Sequence, residues 1–303
     1  MPELEIRPRG PFSLAAAQDF ADSFPAGIGG GSFGEQSIAI AFPVEGTDSS
    51  AAVDIGQRED GVVVGRTDAP AALLDAIRGQ VARSLSLDHD GTEWPAVGQR
   101  DPVIGQLQEA HDYLRPVCFY SAYEAATSFV IGQRISMRQG ARIKRWLGQE
   151  LGDRPTVEGR EFVCFPRPQR LLEMSGAPGL NEKKVGWLKG IARAALDGRL
   201  DSQRMGAMAR DEALARLREL PGVGPFTAEA VWLRGCGIVN ELPSSEEVSL
   251  TAARDMYSRP EMTRDQLIEL AEAWRPFRMW ATVLLRVGWG RQFGRQSYRQ
   301  APG

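Results

Sequence analysis

The chain has 303 residues, 43% of them apolar and 25% charged, with a formal net charge of −3. That length can bury one large core or two modest ones, and the composition is that of an ordinary globular protein. Three scattered cysteines and two histidines are too few for a disulfide framework, an iron–sulfur cluster or a catalytic zinc site. Any chemistry must therefore rest on carboxylates, hydroxyls and backbone groups. No run of about 18 apolar residues marks a membrane span. The start, MPELEIRPRGPF, mixes charge with proline where a secretory signal would be apolar, which places the protein inside the cell as an expectation.

The glycine cluster PAGIGGGSFG (residues 25–34) has neither the preceding strand nor the following Lys-Ser or Lys-Thr of a phosphate loop, and reads as a surface loop. SIAIAF (residues 37–42) alternates with the two-residue period of a strand. AAVDIG and GVVVGRT, separated by the turn-like Gln57-Arg58-Glu59-Asp60, predict a further antiparallel pair. APAALLDAIRGQVARSLSL (residues 69–87) spaces Leu73, Ile77, Val81 and Leu85 four apart, as on one helix face. After Asp101 nearly everything has helical period, broken at PVCFYS, GDRPTVEG, CFPRPQ, SGAPGL and PGVG. The expected architecture is an α+β domain with an antiparallel sheet (1–100), followed by a larger all-α domain (101–303).

In GQRISMRQGARIKRW (residues 132–146), Ile135, Ile143 and Trp146 are spaced to face a core. Arg134, Arg138, Arg142, Lys144 and Arg145 fall around the remaining faces, either as a solvated surface or as a polyanion contact. In LRELPGVGPFTAEAVWLRG (residues 217–235) two helices meet at a tight Pro-Gly-x-Gly turn, the second entered at Pro225. Gly222 and Gly224 are expected to supply positive φ there, and the turn's N–H groups then point outward at a helix start. Backed by the helix dipole, such groups hold an anion without any basic side chain. Leu217, Leu220, Val223, Ala228 and Val231 are its expected buried supports.

LPGVGPFTAEAVWLRG resembles the hairpin of the helix-hairpin-helix DNA glycosylase superfamily. The segments YEAATSFVIGQRISMRQGARIKRWLG, FPRPQRLLEMSGAPGLNEKKVGWLKGIARAALDGRL and LAEAWRPFRMWATVLLRVGW resemble its 3-methyladenine DNA glycosylase II branch. Together they cover residues 123–289 in family order. The resemblance implies that the first domain is like half of a TATA-box binding protein. It also implies a DNA-repair hydrolase acting on alkylated purines in double-stranded DNA, as a monomer without a required cofactor, nucleoid-associated if the source is bacterial. Such an enzyme kinks the duplex and rotates the damaged nucleotide into a pocket.

Carried over residue by residue, the resemblance puts DNA contacts at Gly222, Val223, Gly224, Phe226 and Thr227, and at Gln133, Arg134 and Ser136, with Arg134 as the wedge. A sodium or potassium ion would sit at the carbonyls of Leu220 and Val223. Phe226 falls at a pocket aromatic. Trp280 lies on a helix expected nearby and serves either pocket or core. Ala230 and Arg286 stand where other members have aromatics. The family's catalytic Asp follows a Pro-x-x pattern, and LPSSEEVSLTAAR has none. Matching the Val248-Ser249-Leu250 tail selects Glu247, whereas counting from Pro243 selects Ser245 or Glu246. Alternatively, Ser244 or Ser245 only caps the helix, and the scaffold binds lesions without cutting. Pro225-Phe226-Thr227 at the second hairpin helix leaves no lysine for a Schiff base, and Lys183, Lys184 and Lys189 lie on an earlier, surface-like helix. A monofunctional enzyme is expected.

Overall fold

The computed structural model describes residues 2–23 and 37–293; the glycine cluster at 25–34 lies outside them. The N-terminal half contains β1 (Glu3–Ile6), α1 (Leu14–Ser23), β2 (Ser37–Pro43), β3 (Ser50–Gln57), β4 (Val63–Arg66) and α2 (Leu74–Ser84). The strands form one antiparallel sheet in the order β1-β4-β3-β2. Its inner residues Ile40, Phe42, Val53, Ile55 and Val63 share a core with Ile77, Val81 and Leu85, the expected face of α2. β1 and α1 were not expected from the sequence.

The helical remainder comprises α3 (Trp94–Arg100), α4 (Pro102–Ala110), α5 (Ala122–Gly132), α6 (Met137–Leu151), α7 (Pro168–Leu172), α8 (Glu182–Leu196), α9 (Ser202–Gly206), α10 (Arg210–Arg218), α11 (Pro225–Gly235), α12 (Glu247–Met256), α13 (Arg264–Leu270) and α14 (Arg278–Phe293). A two-stranded ribbon, β5 (Thr156–Val157) with β6 (Arg160–Glu161), interrupts them within and just after the GDRPTVEG break. Hydrophobic residues from both halves join in one continuous cluster.

Two helices set the geometry of the site. Ser121 caps α5, its hydroxyl accepting from Glu124 N at 3.0 Å. The small residues Ala122 and Ala125 let α11 approach so closely that a methyl on Gly235 would lie 2.9 Å from each. The start of α11 therefore lies beside the end of α5.

Candidate active site

Leu217, Leu220, Val223, Ala228 and Val231 are all buried beneath the hairpin between α10 and α11, as expected. Gly222 takes φ +78°, and a methyl there would meet the Trp187 ring at 2.6 Å. Gly224 differs from expectation. It has φ −89° and ψ −178°, ordinary extended backbone, and a methyl on it would touch nothing within 4 Å. Only Gly222 is demanded by the fold itself. Pro225 has no N–H, and those of Gly224, Phe226 and Thr227 donate to no group among the described residues. Gly224 and Pro225 are exposed, Phe226 is half-buried and Thr227 buried, and these donors lie at the positive end of α11.

The segment after α5 is tied to this turn. Gln133 Nε2 donates to the Gly222 carbonyl at 2.7 Å and to Thr227 Oγ1 at 3.5 Å. Lys184 Nζ donates to the carbonyls of Ile131 (2.9 Å) and Gln133 (2.6 Å), and burial lowers its pKa. This lysine of α8 therefore points inward, unlike the surface lysine the sequence suggested. Between these anchors Arg134 is exposed with φ +57°, a conformation that costs a side-chain-bearing residue energy. Ser136 caps α6, accepting from Gln139 N at 3.2 Å.

Along α6, Arg138, Arg142 and Arg145 are exposed, and Ile143 is buried with Ile135 and Trp146 packed against the core. Lys144 departs from expectation. Its Nζ lies 3.4 Å from Glu124 Oε1 and over the rings of Phe119 and Phe165, at 5.6 and 5.9 Å. The cause is helical spacing, which puts Lys144 on the same stripe as buried Gly140, Leu147 and Gly148. Burial pushes its pKa down by more than Glu124 restores.

The LPSSEE loop is held from several sides. Buried Glu229, on α11, accepts from Ser244 N (3.0 Å) and Oγ (2.7 Å), Ser245 N (2.9 Å) and Oγ, and Arg210 Nη2 (2.7 Å). Burial pushes the Glu229 carboxyl up, but the serine hydrogen bonds outweigh it and hold the group below its ordinary pKa. Neither serine caps α12, because both hydroxyls are turned to Glu229, and Glu246 occupies the cap position.

Glu246 Oε1 accepts from Arg286 Nη1 at 2.5 Å, and Oε2 accepts from Ser249 Oγ at 2.8 Å. Arg264 Nη2 holds the Glu246 carbonyl at 3.0 Å. The Glu246 side chain is 15% exposed, whereas that of Glu247 is 65% exposed and pairs with Arg264 at 2.8 Å. The tail register thus selects a carboxylate facing solvent, and the count from Pro243 reaches the one facing inward.

Phe226 is half-buried and meets Phe129 edge-on at 6.3 Å, and Phe129 meets Phe119 at 5.5 Å. The sequence reading missed Phe129, although its place one turn before Gln133 was visible. Ala230, a turn beyond Phe226, is also half-buried. Trp280 is not available to a base. It is 1% exposed, stacked on Phe277 at 4.8 Å and edge-on to Trp94 at 5.7 Å, with the Arg115 guanidinium 5.0 Å from its ring. On α14 it is Arg286 that reaches the loop. Among the described residues no group of three or more His, Cys, Asp or Glu side chains is placed to hold a metal ion.

No family model matches the chain. It is 25% identical over 208 residues to the DNA-3-methyladenine glycosylase of Bacillus subtilis (strain 168), covering 66% of this chain and 68% of that one. To DNA-3-methyladenine glycosylase 2 of Escherichia coli (strain K12) it is 31% identical over 186 residues, covering 60% and 62%. These matches span about two thirds of each relative. In fold it is similar to the 3-methyladenine DNA glycosylase from Archaeoglobus fulgidus, with a TM-score of 0.76 at 19% identity over 96% of this chain and 98% of that one. In sequence and in fold the chain thus resembles the helix-hairpin-helix DNA glycosylase superfamily, in its 3-methyladenine branch. The fold extends across the superfamily. The Clostridium acetobutylicum 8-oxoguanine glycosylase/lyase, solved with double-stranded DNA, matches with a TM-score of 0.67 at 15% identity over 93% of each chain. No described helix is long and apolar enough to cross a membrane.

Proposed function

We propose that the protein is a monofunctional DNA glycosylase that hydrolyses the N-glycosidic bond of alkylated purines in duplex DNA. The observation that carries this reading is an inward carboxylate, Glu246, held at the start of α12 in a chain whose hairpin leaves three N–H groups without an acceptor among the described residues. The N–H groups of Gly224, Phe226 and Thr227 grip a phosphate, with a monovalent cation at the Leu220 and Val223 carbonyls bridging to the same strand. Arg134 enters the stack vacated by the flipped nucleotide. Phe226 and Phe129 flank the extruded base.

Glu246 stabilises positive charge on the sugar as the bond to the base lengthens, and orients the attacking water. Without a lysine at the start of α11, no Schiff base forms and the product is an abasic site. The protein acts as an intracellular monomer, with residues 1–100 and 101–303 as its domains. A second reading is favoured by one observation: both Glu246 oxygens are already engaged, one by a guanidinium. On that reading the protein binds lesions without cutting them. Duplexes carrying single defined alkylated bases, assayed for free base and for borohydride-trapped adduct, separate the readings. Free base without adduct is the expected result. Tight lesion binding with no release would establish the second reading, and a trapped adduct would overturn the monofunctional assignment.

A further inference from the structure

Arg286 sets a buried guanidinium beside the inward carboxylate of Glu246. Of the three positions where the resemblance puts aromatics, Phe226 keeps one, Ala230 offers a methyl, and Arg286 offers a guanidinium. Arg286 is 6% exposed, and its Nη1 lies 2.5 Å from Glu246 Oε1. Arginine remains protonated at every working pH. A fixed positive charge therefore stands one hydrogen bond from the carboxylate assigned to the reaction. A pocket for cationic purines needs the opposite, a π face that attracts the charged ring. Here Phe226 is the one aromatic left of the three.

The two classes of alkylated base differ in what they leave behind. When an N3- or N7-methylpurine departs, the electron pair of the C1′–N bond cancels its positive charge, and the base leaves neutral. When a neutral adduct departs, the same electron pair makes it an anion. Water adds its oxygen to C1′ and loses a proton, and the departing base anion takes up a proton. A cation near the leaving group lowers the barrier for the second class and raises the energy of bound substrate in the first.

We infer that Arg286 is a specificity-determining residue, which directs the site to neutral alkylated bases that leave as anions, such as ring-closed etheno adducts, over cationic methylpurines. The inference rests on the glycosylase reading above. Arg286 acts by charge and takes no part in proton transfer. Glu246 faces the developing positive charge on the sugar.

The test is single-turnover release of 1,N6-ethenoadenine and of 7-methylguanine from otherwise identical duplexes, by wild type, Arg286→Met and Arg286→Lys. Wild type is expected to accelerate ethenoadenine release over its spontaneous rate at least about tenfold more than 7-methylguanine release, which corresponds to one factor of ten per 1.4 kcal/mol of barrier. Arg286→Met should reverse that preference, and Arg286→Lys, which retains the charge, should keep it. A wild type that prefers 7-methylguanine overturns the inference even if neither variant folds. So does Arg286→Met with an unchanged preference, since a merely structural counter-ion would alter stability and not the ratio. Release of neither base would instead sink the glycosylase reading itself.

Discussion

Glu246 and Glu247 are adjacent, yet one is turned to Arg286 and Ser249 and the other to solvent. A helix rotates about 100° per residue, so at a helix start only one of two neighbours can face a given pocket. Glu246→Gln preserves shape and removes the charge that would oppose a cationic sugar. It is expected to lower single-turnover base release by roughly a hundredfold or more, the scale at which one preorganised electrostatic group acts, while leaving DNA affinity unchanged. Glu247→Gln removes an exposed pair with Arg264, and such pairs contribute only about 0–1 kcal/mol, so activity should stay near wild type. The reverse pattern would return the role to Glu247. The sequence could not make this choice, because the proline count and the apolar tail differ by one residue and only the direction of each side chain decides. Trp280 stayed open between pocket and core for a related reason. An aromatic on an apolar helix has the same pattern whether it lines a pocket or fills a core, and contacts with Trp94 and Phe277 from distant chain segments distinguish them.

At the scale of elements, the segment around Arg134 is held by a helix that no sequence pattern connects with it. The last carbonyls of α5 have no intrahelical partner. Lys184 supplies one from α8, bonding the Ile131 and Gln133 carbonyls while Gln133 grips the hairpin turn. Lys184→Met should free those carbonyls to water and let Arg134 sample conformations other than φ +57°. Base release is expected to fall about tenfold, since small misplacements carry large rate penalties, and Lys184→Arg should restore most of it. Full activity in the Met variant would show that the wedge is positioned without this anchor. What was legible at this scale followed local period: β2, β3, β4, α2 and the hairpin all lie where alternation or four-residue spacing put them. The misses were β1, α1 and the β5–β6 ribbon. Two residues are too short to carry a period, and β1 exists because it pairs with β4, nearly 60 positions away.

Taken whole, the molecule has a formal net charge of −3 and yet must hold a polyanion. Distribution resolves this. Arg134, Arg138, Arg142 and Arg145 are exposed along one helix and the segment before it, and take no ion pair among the described residues. Many other arginines, such as Arg58, Arg210, Arg275 and Arg278, are paired with carboxylates. Each unpaired arginine that meets a phosphate releases condensed counterions, so the logarithm of affinity should fall with the logarithm of salt at a slope of about −0.9 per contact. Charge-neutral replacements such as Arg138→Gln and Arg142→Gln should each flatten that slope by about one unit. The hairpin should behave differently, because its N–H groups carry no net charge to exchange. Gly224→Ala fits the folded backbone without strain, since its φ is −89° and the space around it is open. Its added methyl would obstruct a phosphate approaching the donors, so affinity should drop at every salt concentration with the slope unchanged. Fluorescence anisotropy of a labelled duplex across a salt series reads both quantities. A Gly224→Ala protein of wild-type stability that binds DNA as tightly as wild type would remove the hairpin from the interface, and arginine variants that leave the slope untouched would move the phosphate track off α6.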